Sequence, residues 1–219
     1  MPEIIPSINV PTFPEVQERI KKVEPYVAWC HLDITDGMFS EHPTWREPAD
    51  LVRLETSLKV EAHLMIEDPE KVIDRWLVHP IRRIITHLEA ISDHELIIKK
   101  CRDAQIEIGF AIKPDTFWGM LGRWFQKVDL FVLLTVTPGP SGQRMSKDTY
   151  EKIAYLRAAH PPCLIEIDGD MNISTISKTR ESGANLFVVG SAIFSQQDIG
   201  RAIGDLRRAI GKTEYKNTI

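Results

Sequence analysis

Eight short runs rich in β-branched residues recur along the 219-residue chain, at 3–9, 29–35, 59–66, 83–89, 107–112, 130–136, 163–168 and 186–191, with starts about 23 to 33 residues apart. Between them the apolar pattern turns helical. Asp68 and Pro69 are expected to cap a helix bearing Val72, Ile73, Trp76 and Leu77, and Ser92 with Glu95 to form a capping box ahead of Leu96 and Ile97. Asn172 precedes Ile173 and Ile176, with Gly183 as a stop, and Ile199, Ile203, Leu206 and Ile210 share one face before Gly211. Strand alternating with helix at this period requires parallel strands joined by right-handed crossovers, in an open doubly wound sheet or a closed barrel. Eight repeats with no linker or break in composition favour closure. The expectation is therefore one α/β domain, a parallel eight-stranded (β/α)8 TIM barrel of eight strands and eight helices over 1–211, with a polar tail over 212–219.

Composition excludes several classes of function. With 43% hydrophobic and 26% charged residues the chain is neither disordered nor low in complexity, and a net charge of -4 gives no sign of a nucleic-acid footprint. Cys30, Cys101 and Cys163 are too few and too scattered for a disulfide framework. The first ten residues carry an acidic Glu3 and no long apolar core, unlike a signal peptide, and the longest apolar runs, such as 130–134, fall far short of a membrane span. A cytoplasmic protein with neither nucleic-acid nor membrane partner is expected.

A barrel places its chemistry at the C-terminal ends of its strands. The second run ends in Cys30-His31-Leu32-Asp33-Ile34-Thr35-Asp36-Gly37, and the two-residue strand period sends His31 and Asp33 to the same, interior face. His63 lies near the end of the third run and Asp168 at the end of the seventh, so four groups converge on one mouth. Taken singly, each reads as a helix cap or a loop anchor. Taken together, two carboxylates and two imidazoles buried without a metal or partner charges would cost several kcal/mol. A mixed N/O set suits Zn²⁺, Mn²⁺, Fe²⁺ or Co²⁺ better than Ca²⁺ or Mg²⁺.

Other features are less specific. His87 and Glu89 close the fourth run and read as a hydrogen-bonded core histidine or as further lining of the mouth, and Lys113 before Pro114 reads as a solvated lysine. No GxxxxGK[ST] or GxGxxG motif occurs. Glycine-bearing turns follow the sixth run, Thr137 to Gln143, and the eighth, Val189 to Ala192. Each serves either as simple turn chemistry or as backbone N–H groups that approach an anion.

These residues together resemble the ribulose-phosphate 3-epimerase family. The likeness runs over nearly the whole chain, through Pro6-Ser7-Ile8, the His31 to Gly37 segment, His63-Leu64-Met65-Ile66, Pro138 to Gln143, Glu166 to Gly169 and Gly190 to Phe194. The resemblance implies a barrel that binds one divalent cation and inverts C3 of a ketopentose 5-phosphate. On that reading His31, Asp33, His63 and Asp168 are the metal ligands and Asp33 and Asp168 the acid/base pair, passing through an enediolate. Substrate contacts fall to Ser7, His63, Met65, Gly142, Gly169, Gly190 and Ser191, the last four forming a phosphate cradle. The implied partners are a small sugar phosphate and further copies of the chain in a homo-oligomer.

The chain departs from the family's usual wording at Thr35 and Leu134, where the family has methionines, leaving Met65 alone of its sulfur-lined floor. It also departs at Ser141 and at Asp170, where the cradle usually carries glycine. A carboxylate at Asp170 repels a phosphate unless its side chain turns to solvent or Arg144 compensates. The alternatives are a 3-epimerase of another ketose or ketose phosphate, such as allulose 6-phosphate, and a non-catalytic barrel that binds a sugar phosphate.

Overall fold

A computed structural model describes residues 2–139 and 142–211, so Ser141 and the 212–219 tail lie outside the described residues. Eight strands form the barrel: β1 (Glu3–Ile8), β2 (Trp29–Thr35), β3 (Lys59–Met65), β4 (Ile81–His87), β5 (Glu107–Ile112), β6 (Leu130–Leu134), β7 (Leu164–Asp168) and β8 (Leu186–Val189). Every neighbouring pair is parallel, and β1 pairs with both β2 and β8, which closes a single (β/α)8 barrel in chain order. The helices are α1 (Phe13–Val23), α2 (Ile73–Trp76), α3 (His94–Asp103), α4 (Thr149–Ala159), α5 (Ile173–Ser182), α6 (Ser191–Phe194) and α7 (Ile199–Gly211). Among the described residues no helix is long and apolar enough to cross a membrane.

The two-residue strand period divides the core in two. Outward-facing Cys30, Leu32 and Ile34 of β2 join the main cluster between sheet and helices, where α1 adds Val16, Ile20 and Val23, and α7 adds Ile203, Leu206 and Ile210. Inside the barrel a smaller cluster of Ile5, Trp29, Ile85, Ala111, Leu130, Val132 and Leu186 fills the lumen. The inward positions of β2 that follow Trp29 are His31, Asp33 and Thr35, all buried. Register sets His31 opposite Ser7 of β1 and Glu61 of β3, and Asp33 opposite His63.

The crossovers depart from the expected eight helices. After β2 and β5 the described residues form 3-10 helices, Pro48–Arg53 and Trp118–Trp124, in place of α-helices. Gly119 and Gly122 weaken the second, where an α-helix would lose about 1 kcal/mol at each glycine, whereas the proline that opens the first suits either helix type, as Pro14 does in α1. Asp68 makes no side-chain cap; its backbone is left-handed at φ 51 and leads into a 3-10 turn before the one-turn α2. The cap of α3 is Asp93, which accepts from the Leu96 N–H at 3.0 Å, while the Ser92 N–H donates to Glu70. Glu89 lies beyond β4, in the 3-10 turn Leu88–Ala90. Asn172 does cap α5, in a reciprocal box with Thr175, and Gly183 ends that helix at φ 120.

Candidate active site

Strand ends bring His31, Asp33, His63 and Asp168 together at the C-terminal mouth, each with one donor atom within 4.8 Å of the others. His31 Nε2 lies 3.3 Å from Asp33 Oδ1 and 3.9 Å from Asp168 Oδ2, and His63 Nδ1 lies 3.4 Å from Asp168 Oδ2 and 3.7 Å from Asp33 Oδ1. The two facing ring nitrogens are 3.2 Å apart. Ser7 Oγ donates to Asp33 Oδ2 at 2.6 Å.

Both histidines expose no surface and are fixed from behind. His31 Nδ1 meets Glu61 Oε1 at 2.7 Å, so an N–H there leaves the Nε2 lone pair facing the carboxylates. His63 Nε2 meets His87 Nε2 at 2.9 Å, and His87 Nδ1 lies 3.4 Å from Glu89 Oε2. One consistent proton arrangement has the His87 Nδ1 proton facing Glu89 without a closed hydrogen bond, leaving His87 Nε2 to accept from His63 Nε2–H and His63 Nδ1 as a lone pair toward the cluster. Burial holds His87 down at about 4, hence neutral. Glu89 lies at about 2 despite burial, because His87, Thr116 and the Lys113 N–H stabilise its charge.

Beneath His31 lies a charged layer that the sequence reading did not assign. Arg83 NH1 contacts Glu61 Oε2 at 2.6 Å, its NH2 contacts Glu107 at 2.7 Å, and its guanidinium stacks 4.2 Å over Trp29. Glu166, fully buried, is pushed well above the ordinary carboxylate value by burial and by Glu61, and its oxygens have no hydrogen-bond partner among the described residues. The period that aligned His31 with Asp33 also aligns Glu61 with His63 and Glu166 with Asp168, so the signal was present.

The donor set fits a divalent cation. Burial lowers the basicity of both imidazoles, yet hydrogen bonds donated to Asp33 and Glu61 hold His31 well above its usual value, and those donated to Asp168 and Asp33 raise His63. Burial alone would raise the Asp33 carboxyl, but His31 and His63 pull it well below the carboxylate range. Two carboxylates and two oriented imidazoles thus converge on a point that favours positive charge, in the N/O chemistry of a transition-metal site.

Above this cluster opens a cavity of about 270 Å³, lined by Ser7, Asp33, Met65, Asp168, Gly142, Gly169, Gly190 and Ser191 among others. All the expected site residues therefore gather at one mouth, with His31 and His63 buried beneath its floor. At Gly169 the backbone is left-handed at φ 110, and a Cβ there would come 2.6 Å from Thr135 Oγ1. Leu134 adds apolar lining, while Met171, though it borders the cavity, turns its sulfur to Thr179 Oγ1 of α5 at 3.8 Å. Thr35 does not line the cavity: its hydroxyl donates to the His42 carbonyl and its N–H to Thr44 Oγ1, pinning the loop after β2. Asp170, left-handed at φ 52, keeps its carboxylate on the wall, accepting from Asn172 Nδ2 at 3.0 Å and from the Met145 N–H at 3.1 Å. Arg144 is exposed and lies outside the lining.

Comparison with known proteins agrees with this geometry. The chain is 32% identical over 214 residues to ribulose-phosphate 3-epimerase of Bacillus subtilis (strain 168), covering 94% of this chain and 99% of that one. It is 28% identical over 217 residues to the Schizosaccharomyces pombe protein of the same name, covering 97% and 95%. KGPDC from Streptococcus mutans shares the fold, with a TM-score of 0.74 at 11% identity over 96% of this chain and 98% of that chain. The sequence model of the Ribulose-phosphate 3 epimerase family matches residues 3–194, and the chain belongs to that family of isomerases.

Proposed function

We propose that the chain is a metal-dependent ribulose-phosphate 3-epimerase that interconverts D-ribulose 5-phosphate and D-xylulose 5-phosphate, with residues 1–211 as its catalytic unit, acting in the cytoplasm as a homo-oligomer. The observation that carries the reading is the convergence of Asp33 from β2 and Asp168 from β7 on one cavity floor. Inversion at C3 needs one carboxylate on each face, one to take the proton and the other to return one. His31, Asp33, His63 and Asp168 would hold the cation, drawn from Zn²⁺, Mn²⁺, Fe²⁺ or Co²⁺; when bound, it supplies charge stabilisation for the C2 and C3 oxygens as the proton leaves.

The remaining steps belong to the chain's own side chains. Ser7 holds Asp33 Oδ2 through a 2.6 Å hydrogen bond and fixes that carboxylate's direction. Glu61 and His87 hold the rings of His31 and His63 from behind, so His31 Nε2 and His63 Nδ1 are the atoms left to face the cation and the two aspartates. Met65 and Leu134 exclude water from the floor beside C3, and Gly142, Gly169, Gly190 and Ser191 offer backbone N–H groups to the phosphate.

Proton NMR of D-ribulose 5-phosphate incubated in D₂O with metal-supplemented enzyme tests the reading. Conversion to D-xylulose 5-phosphate with deuterium at C3 is expected, and Asp33→Asn or Asp168→Asn abolishes it in a folded protein. Turnover confined to D-allulose 6-phosphate or to free ketoses would refute the substrate, and near-normal turnover by either variant would refute the acid/base pair.

A further inference from the structure

The wall that the sugar-phosphate reading assigns to the phosphate carries a carboxylate. Asp170 follows Gly169 directly, and both its oxygens are tied in place by Asn172 and the Met145 N–H. A phosphate monoester brings about -1.5 to -2 charges at neutral pH. Asp33 and Asp168 face the cation donors, so Asp170 remains to be offset. Arg144 is exposed and away from the lining.

Among the described residues, the one basic side chain lining the cavity is Arg19, from the middle of α1. It is half-buried, and its guanidinium sits 4.6 Å over the Phe194 ring. Phe194 closes the short helix that begins at Ser191, itself in the same wall. Arg19 makes no hydrogen bond or salt bridge within the described residues; of the carboxylates near it, Glu15 accepts from Thr12 Oγ1 and Glu18, which feels the Arg19 charge, pairs with Lys22, each at 2.6 Å. Its planar fork, restrained by stacking, therefore keeps its donors for an oxyanion.

We propose that Arg19 determines specificity for phosphorylated ketoses by binding the substrate's phosphate and offsetting the charge of Asp170. The assignment rests on the sugar-phosphate reading above and adds to it a residue from a helix rather than from a strand-end loop.

The test compares Arg19→Met, which keeps an apolar contact with Phe194, and Arg19→Lys, which keeps the charge but loses the fork. Readouts are KM and kcat for D-ribulose 5-phosphate and the inhibition constant of inorganic phosphate. Arg19→Met is expected to raise both KM and the inhibition constant about 10- to 100-fold, the loss falling on KM rather than kcat, with Arg19→Lys intermediate. In an Asp170→Asn background the cost of Arg19→Met shrinks, since the offset charge is gone. Wild-type KM and phosphate inhibition in Arg19→Met would overturn the assignment, as would a fall in kcat and thermal stability at unchanged KM, which marks a structural role. If the native enzyme neither turns over D-ribulose 5-phosphate nor is inhibited by phosphate, the sugar-phosphate reading fails, and Arg19 with it.

Discussion

Glu61→Gln isolates the buried layer that orients the site. Glu61 exposes no surface and serves two partners at once, His31 Nδ1 at 2.7 Å and Arg83 NH1 at 2.6 Å. A glutamine has one oxygen to offer. If that oxygen faces Arg83, the amide NH₂ faces His31 Nδ1 and forces the proton onto Nε2, where it points at Asp33 and Asp168. If it faces His31, the NH₂ opposes the guanidinium. Removing one partner of a buried ion pair costs about 3–5 kcal/mol. Two features of this site favour the lower end: Arg83 keeps Glu107 at 2.7 Å, and Glu166, pushed up by burial and by Glu61, lies 3.9 Å from Arg83 and ionises more readily once Glu61 loses its charge. At roughly 2–4 °C per kcal/mol for a chain of this size, about 3 kcal/mol lowers Tm by roughly 6–12 °C. The same change is expected to weaken metal binding about 10- to 100-fold, because a partner that fixes a ligand tautomer is lost. Calorimetry without added metal and titration with Zn²⁺ or Mn²⁺ measure the two effects separately. A Tm within about 2 °C of wild type, well under the shift expected for breaking a buried pair, together with native metal affinity, would refute both the ion-pair and the tautomer argument.

Three further outcomes follow from the same geometry. His87→Leu leaves the His63 Nε2 proton without its acceptor, and equilibrium dialysis should show metal affinity about 10- to 100-fold weaker. Gly169→Ala places a Cβ 2.6 Å from Thr135 Oγ1 at φ 110; urea unfolding should show a loss of about 1–3 kcal/mol, accompanied by a higher KM for D-ribulose 5-phosphate. Glu24 accepts from the Ser57 N–H at 2.6 Å, Thr56 Oγ1 at 2.8 Å and Ser57 Oγ at 2.9 Å, which lowers its carboxyl below 4.5. A depressed folded pKa gives stability that is present above the unfolded value and lost as pH falls through the folded one. Glu24→Gln should therefore cost about 1 kcal/mol at neutral pH and progressively less under acid, as urea midpoints at pH 7 and about pH 3 would show.

The barrel was legible because its strands are fixed by local chemistry: runs such as Ile84-Ile85-Thr86 and Val132-Leu133-Leu134 combine β-branched and apolar residues in lengths that suit a strand buried on both faces. The crossovers were less so, since the helical reading after β5 gave too little weight to the Gly119 and Gly122 pair, and nothing local distinguishes the 3-10 segment after β2. His31, Asp33, His63 and Asp168 could be read because periodicity and strand-end position act together on each. Glu61 and Glu166 share that periodicity, but nothing local says which buried charge meets which, and Arg83 lies on a third strand.

Asp170 shows the limit most clearly. Judged beside its neighbours it predicts repulsion of a phosphate, and the nearest cation in sequence, Arg144, is the natural compensator. In the fold Arg144 is exposed and outside the cavity lining, while Arg19 reaches that wall from α1 because the closed barrel sets β1 beside β8 and so brings α1 against the helix that follows β8. Closure thus decides which charges meet. On the proposed role of Arg19, phosphate binding depends on a pair whose members lie in distant repeats, and a variant at Arg19 should be read together with one at Asp170 rather than alone.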